Sequence, residues 1–397
     1  MKLLNYCRAN DWAGYDPYDA LNSRVFERLP FLNSRIPRLV ATQALKRCPL
    51  NIRPLLGIPK TQNPKGLALF LSALLKLSRL GLLEEPGLVR IIAQKLVALR
   101  SPNTDFWCWG YSFPWQTRSV VVPRGSPNAV CTVFVANALL DLYERNRDAR
   151  NLEMATSAAE YLLQLIWGNG KGTVSLSYPL QSLQSEIHNA NLLGAALLCR
   201  VSKLSGEGKF QEPAYSLARY SAGKQRDDGS WFYGELPTQR WMDNFHTGYN
   251  LCALRSIGKY RETAEFEAHV RRGFEFYVKH FFREDGAARY FHDRTYPIDS
   301  HCVAQSLITL LELRDLAQGS VSLASRVFDW AVRNMWDERG FFYYRLLPCC
   351  RIKTSYMRWV QAWMLLALAT LLEETRSSGT TASPRLAKKA EPSLTPQ

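Results

Sequence analysis

Asp228-Gly229-Ser230-Trp231-Phe232-Tyr233, followed by Trp241-Met242-Asp243-Asn244-Phe245-His246, sets the pattern of this chain. A glycine turn leads into a short aromatic stretch, and a polar cluster then opens an apolar helix. The plan recurs in Gly172-Thr173-Val174-Ser175-Leu176-Ser177-Tyr178, in Asp285-Gly286-Ala287-Ala288-Arg289-Tyr290-Phe291 and in Arg339-Gly340-Phe341-Phe342-Tyr343-Tyr344. The four glycines stand 57, 57 and 54 residues apart. About 15 residues after each comes a polar residue, namely His188, His246, His301 and Arg358, spaced 58, 55 and 57. A weaker copy runs from Trp107–Tyr111 to Asn128. Self-similarity at such a period marks stacked supersecondary units that bury their apolar faces against one another.

Each unit reads as a helical hairpin. Leu192–Leu198, Val303–Leu311 and Trp363–Leu372 are apolar on nearly every face, so they must be buried. Arg261–His280 and Leu323–Asn334 carry their charges on one side and cover such a core. The expected pairs are 65–80 with 85–98, 128–147 with 151–168, 186–203 with 207–224, 244–257 with 260–281, and 299–315 with 319–335. Helix 357–375 and the N-terminal helices would close the ring. The reading is an all-α chain, a single (α/α)6-type toroid of hairpins with a period of about 57 residues. It spans residues 1–375, and a disordered basic tail follows over 376–397. Inner-helix N-termini then converge on one mouth.

Composition narrows the class. The chain has 397 residues, 47% apolar and 21% charged, with 11 Trp, 18 Tyr and 18 Phe, which excludes collagenous, coiled-coil and wholly disordered chains. Its formal charge is +15, but residues 1–60 carry +6 and residues 376–397 carry +3. That placement does not resemble a nucleic-acid-binding face, and no zinc-finger, RNP or recognition-helix pattern appears. The start lacks a secretory h-region, no apolar run reaches a membrane span, and the nine cysteines form no C-x-x-C pair. The expectation is a reduced, cytoplasmic protein without nucleic acid, whose basic ends suit an anionic membrane surface.

At the mouth the sequence places Glu186, His188 and Asn189; Asp243, Asn244 and His246; Asp299 and His301; and Tyr356, Arg358 and Gln361. Asp243 and His246 are three apart and share a helix face. Asp243, Asn244 and Asp299 also suit helix N-caps, which satisfy orphan amides. The recurrence in successive units favours a shared polar pocket. Trp107, Trp109, Trp115 and Trp241 suit either hairpin packing or the apolar faces of sugars. Gln116 and Arg118 end the first aromatic stretch, and Arg118 and Arg358 are candidate anion clamps because guanidinium is a planar bidentate donor. Asp16 and Asp19, in Asp11–Asn22, either begin a helix over 18–28 or reach the mouth as a carboxylate pair for acid/base work.

Three weaker patterns bear on function. Gln225-Arg226-Asp227-Asp228-Gly229-Ser230-Trp231 resembles the Gln-Trp repeat of squalene–hopene-type cyclases, which ties neighbouring hairpins. The Asp-x-Asp-Asp and Asp-Asp-x-x-Asp motifs of cyclisation and diphosphate binding are missing, as are Walker and Rossmann glycine patterns. His188, His246 and His301 with one acid compose a conceivable zinc set, but no family spacing backs it, and no cofactor is expected.

Five stretches carry a resemblance to a known family: Gly14–Asn22, Trp109–Arg118, Trp241–Tyr249, Pro297–His301 and Tyr356–Trp363. They resemble toroid proteins of bacterial and archaeal polysaccharide-biosynthesis clusters, a family with no established reaction. The resemblance, over about residues 11–373, implies an exopolysaccharide or cell-envelope setting.

The leading expectation is therefore an enzyme acting on a saccharide, acidic or lipid-linked, by hydrolase, lyase or epimerase chemistry. An acid among Asp16, Asp19, Asp243 and Asp299 would work with His246 or His301, while Arg118 and Arg358 hold an anionic group. Trp107, Trp109 and Trp115 would stack on rings, and Tyr356 or a histidine would move a proton beside a carboxylate. An isoprenoid or polyprenyl-sugar toroid and a non-catalytic scaffold are the alternatives.

Overall fold

The computed structural model describes residues 1–29, 34–83 and 85–377. The expected tail falls outside the described residues from 378 onward.

Fourteen α-helices occur among the described residues: α1 Lys2–Ala9, α2 Arg24–Arg28, α3 Arg35–Arg47, α4 Pro64–Arg79, α5 Pro86–Ala98, α6 Ala129–Asn146, α7 Ala149–Leu165, α8 His188–Ser205, α9 Gln211–Ala222, α10 Asn244–Arg261, α11 Glu267–His280, α12 Ser300–Glu312, α13 Ser320–Met335 and α14 Trp363–Ser377. A π-helical turn, Met357–Ala362, leads into α14. Helices α4, α6, α8, α10, α12 and α14 each contact the next, and α14 returns to α4, which closes an inner ring. Their faces are buried nearly all round, as in Leu192, Ala195, Leu198 and Cys199 of α8. The even-numbered inner helices alternate with outer helices that expose one charged side.

Local chemistry sets where the inner helices start. Asn63, Asn128, Asp243 and Asp299 accept hydrogen bonds from backbone N–H groups one turn in, and Pro64 follows Asn63 at the first helical position. Three of the four repeated glycines have a common packing reason. Gly229, Gly286 and Gly340 have φ of +86°, +93° and +97°, and a Cβ there would stand 2.3, 2.6 and 2.9 Å from the carbonyl oxygens of Arg272, Arg326 and Lys2. Each turn thus seats on the backbone of the next outer helix, where only glycine fits. The third contact falls on α1, so α1 is the sixth outer helix. The Gln225–Trp231 stretch ties hairpins as its sequence suggests: Gln225 Nε2 donates to His269 O at 2.9 Å, and Trp231 Nε1 donates to Ser221 O at 2.9 Å.

Short antiparallel pairs occupy the mouth side, among them Trp115–Gln116 with Val121–Val122, Ile166–Gly168 with Val174–Leu176, and Ile298–Asp299 with Arg345–Leu346. In its described residues, the segment from 10 to 62 does not complete the ring. It folds as a cover with a small core of its own, Ala20, Leu45 and Ile58, and bridges to the rest at Gly14–Thr61 and Tyr15–Tyr356. In place of a helix over 18–28 it holds a 3-10 turn, Asp19–Asn22, and the short α2. Asp16 turns back the chain there by accepting from Tyr18 N at 3.1 Å.

Candidate active site

The second residues of the six inner segments are Lys65, Val130, Asn189, Phe245, His301 and Arg358. Lys65, Phe245, His301 and Arg358 gather at the centre of the mouth end: Phe245 and His301 rings lie 4.6 Å apart, and Lys65 and Arg358 both press electrostatically on His301.

Asp243 and His246 form a dyad. The His246 Nδ1–H donates to Asp243 Oδ2 at 2.7 Å, and the backbone N–H of His246 donates to Asp243 Oδ1 at 2.9 Å. Trp241 Nε1 also donates to Oδ2, at 3.1 Å. Asp243 is thus both an N-cap and the partner that fixes the imidazole tautomer. Its side chain is 1% exposed, whereas that of His246 is 20% exposed and packs on the Tyr233 ring at 4.6 Å. Nε2 of His246 has no partner among the described residues, which leaves a proton acceptor at the mouth.

His301 lies deeper, between Phe245, Trp359 and Trp363. Its Nε2 is 2.6 Å from Tyr249 Oη, and its Nδ1 is buried without a partner. Burial holds its pKa well below the usual histidine value, and the charges of Lys65 and Arg358 add to this. His301 is therefore neutral. Burial likewise raises the hydroxyl pKa of Tyr111, Tyr233, Tyr249 and Tyr290, so this aromatic wall is uncharged.

Each of the other buried aspartates is held by an arginine. Asp16 receives Arg358 Nε at 2.6 Å and Nη2 at 2.8 Å. Asp19 receives Arg53 Nε at 2.8 Å and Asp16 N at 2.9 Å; burial pushes its carboxyl up to about 6 against the pull of Arg53. Asp299 caps α12 through Oδ1 and binds Arg345 through Oδ2, at 3.0 Å to Nε and 2.6 Å to Nη2. Arg358 is accordingly committed to Asp16 through two of its nitrogens, with its guanidinium 4.8 Å above the Tyr111 ring.

The remaining sequence-derived candidates lie elsewhere. His188 is the first residue of α8, not the second. Its Nδ1 is 3.3 Å from Ser221 Oγ on outer helix α9, and its Nε2 is 2.9 Å from Glu235, whose pKa it lowers by that hydrogen bond. Glu186 is bonded to Tyr220 Oη. Asn244 ties α10 outward to Tyr277, and Gln361 pairs with both backbone groups of Phe342. Trp109 is fully buried with Nε1 on Leu96 O, and the Trp107 ring lies tilted beside it at 6.1 Å. Gln116 bonds Thr117 and Val120 within its hairpin. Arg118 reaches the rim, 5.2 Å over the Trp241 ring, and donates to Thr238 O. Trp115 packs near Tyr111, and Tyr356 lies under Arg53 with its hydroxyl unpartnered. Asn189 Oδ1 is likewise buried without a partner. The three histidines do not converge into a ligand set, and among the described residues no three His, Cys, Asp or Glu side chains gather as metal ligands.

Lys65, Tyr249 and Phe134 are the central residues that repeat reading misses. Asn63-Pro64, a cap followed by a first-turn proline, marks the start that places Lys65 in register with His301 and Arg358. Two open concavities lie off this centre. One of about 430 Å³ runs along the rim between Ser126, Pro127 and Leu180. The other, about 380 Å³, lies at the opposite end of the ring beside Lys76, Glu312 and Arg314.

This ring of inner and outer helices is the (α/α) toroid of several carbohydrate-active enzymes. A glycoside hydrolase family 76 α-mannanase from Bacteroides thetaiotaomicron superposes with a TM-score of 0.61 at 11% identity, over 80% of this chain and 86% of that one. An unsaturated glucuronyl hydrolase specific for heparin gives 0.61 at 13% identity, over 81% and 90%. The cellobiose 2-epimerase of Bacillus thermoamylovorans gives 0.59 at 11% identity, over 79% and 90%. These likenesses establish the fold. No protein-family model matches the chain, and no curated protein matches it by sequence.

Proposed function

We infer that the chain is a carbohydrate-processing enzyme that moves a proton on a sugar, by epimerase or lyase chemistry, at the mouth of the toroid. The observation that carries this reading is the Asp243–His246 dyad with Nε2 free at the mouth. An imidazole held by a buried carboxylate is a general base near neutral pH, and the carboxylate steadies the imidazolium that forms. Tyr249, hydrogen-bonded to neutral His301, is a second proton carrier beside it. Structural neighbours that hydrolyse or epimerise saccharides support the substrate class.

Hydrolysis by two carboxylates fits less well. That chemistry needs an acid and a second carboxylate flanking the bond. Here Asp16, Asp19 and Asp299 are each engaged by arginine, and Asp243 by His246 and Trp241. The buried charges at the centre also oppose an isoprenoid chain. The proposed chemistry calls on no cofactor.

The resemblance to polysaccharide-cluster proteins supports an envelope-polysaccharide setting. On α3, Ile36 and Val40 are exposed beside the exposed Arg35, which supports contact with an anionic surface that would present a lipid-linked saccharide. Co-sedimentation with phosphatidylglycerol vesicles, compared with neutral ones, checks that contact.

The functional test is incubation in deuterium oxide with reducing sugars, uronates and glycosides, read by proton NMR. Deuterium entering the carbon beside the carbonyl or carboxylate is the expected result. Release of a new reducing end without such exchange would instead establish a hydrolase, and no change with any saccharide would overturn the reading.

A further inference from the structure

Lys65 is the sole lysine buried among the described residues, at 4% exposure, and it stands at the centre of the mouth end. Its Nζ lies 4.1 Å from the Phe134 ring centroid, 5.3 Å from Trp363 and 5.4 Å from Tyr249. No hydrogen-bond acceptor or carboxylate meets it among the described residues. The one nearby acid, Asp16, is already taken by Arg358. Helix α4 presses its start against Arg358: a Cβ on Gly66 would stand 3.4 Å from Arg358 Cα. A second cation thus borders Lys65, and the amide N–H groups of the α4 N-terminus add positive potential.

The three rings recover part of the ammonium's lost hydration but offer no lone pair to its protons. Burial, with the neighbouring Arg358 charge, holds the Lys65 pKa well below its ordinary value. Structural lysines are placed differently: they extend their ammonium to water or meet an acid. An amine whose burial and neighbouring cation both favour its uncharged form is instead the arrangement that makes lysine a nucleophile toward carbonyl carbon.

We propose that Lys65 is a carbonyl-binding residue that forms an imine with the open-chain aldehyde of a reducing sugar. The Nζ lone pair attacks the carbonyl carbon and forms the C–N bond as the C=O π bond breaks, and the proton that the attacking nitrogen gives up passes to the carbonyl oxygen, which becomes hydroxyl. Loss of that hydroxyl as water, with one further proton supplied, leaves a protonated imine. The Tyr249–His301 pair, at hydrogen-bond distance and on the same wall, is the proton carrier at hand. The protonated imine acidifies the adjacent carbon, which is the proton an epimerase removes. This inference rests on the reading of the mouth as a sugar site, and it narrows the substrate to saccharides with a free reducing end.

The test uses the intact protein, glycolaldehyde as the smallest hydroxyaldehyde, and cyanoborohydride to reduce any imine in place. Peptide mapping by mass spectrometry locates the hydroxyethyl group at neutral pH. Lys65 is expected to be modified about tenfold or more faster than surface lysines, since each unit of lowered pKa raises the free amine about tenfold. Lys65→Met, which removes a buried amine without a polar partner, keeps the fold and loses this modification alone. Labelling confined to surface lysines would overturn the proposal. Turnover fails separately: deuterium exchange without a Lys65 adduct leaves the sugar reading intact, and an adduct without exchange on any sugar overturns that reading alone.

Discussion

The Asp16 carboxylate closes on the Arg358 guanidinium through two hydrogen bonds, of 2.6 and 2.8 Å, across 342 residues of sequence. Both side chains are at most 5% exposed. This pair fastens the N-terminal cover to the last inner segment and offsets the Arg358 charge beside Lys65.

Removing one partner strands a buried charge, which costs about 3–5 kcal/mol. Asp16→Ala is therefore expected to lose stability on that scale in chemical denaturation. The double variant Asp16→Ala, Arg358→Met should lose less than the sum of the two single changes. Additive losses would show that the two groups do not depend on one another.

Asp243→Asn separates capping from chemistry. Asparagine caps a helix about as well as aspartate, so the melting temperature should change little. The amide cannot stabilise an imidazolium or hold the same tautomer. Turnover should drop by about 100-fold or more. Unchanged turnover would reduce Asp243 to a cap.

His301 gives a pH signature. Its folded pKa is depressed from 6.5, so the native state stays neutral while the unfolded chain takes up a proton as pH falls below that value. Stability should fall with acidification from about pH 6.5, at up to about 1.4 kcal/mol per pH unit from this residue. The groups facing it are Lys65, Arg358, His246 and Tyr249. His301→Gln should flatten that limb of the stability profile. An unchanged slope would mean that His301 charges freely in the folded protein.

Gly286 tests the repeat itself. An alanine there would combine φ of +93° with a Cβ 2.6 Å from Arg326 O, so Gly286→Ala should cost more than about 1 kcal/mol. A neutral substitution would remove the physical reason for the glycine period.

The ring of hairpins is legible in the sequence because inner helices such as α8 and α12 are apolar all round while their partners are not. Gly229, Gly286 and Gly340 recur because their turns seat on the next outer helix, whereas Gly172 meets nothing within 4 Å and is required only by its φ of +90°. What the period hides is rotation. Counting from the turn glycines aligns His188 with His301, yet the loops between glycine and cap differ in length: the caps fall at Ile187 after Gly172 and at Asp299 after Gly286. One residue of slip turns a side chain by about 100°. His188 therefore meets outer-helix Ser221, while His301 faces the centre.

The cover over 10–62 has no period at all. Its placement depends on the buried Asp16–Arg358 pair, and its own folding on the buried Asp19–Arg53 pair, whose members only the fold brings together. That is why Arg358 reads as an anion clamp in the sequence and is committed to Asp16 in the structure.

The proton-transfer reading turns on His246. For a sugar that takes up deuterium with the wild-type protein, the exchange rate should be compared with that of His246→Ala under identical conditions. The variant is expected to keep its melting temperature and to lose about 100-fold to 10,000-fold in rate. Exchange at the wild-type rate in a folded His246→Ala protein would contradict the assignment.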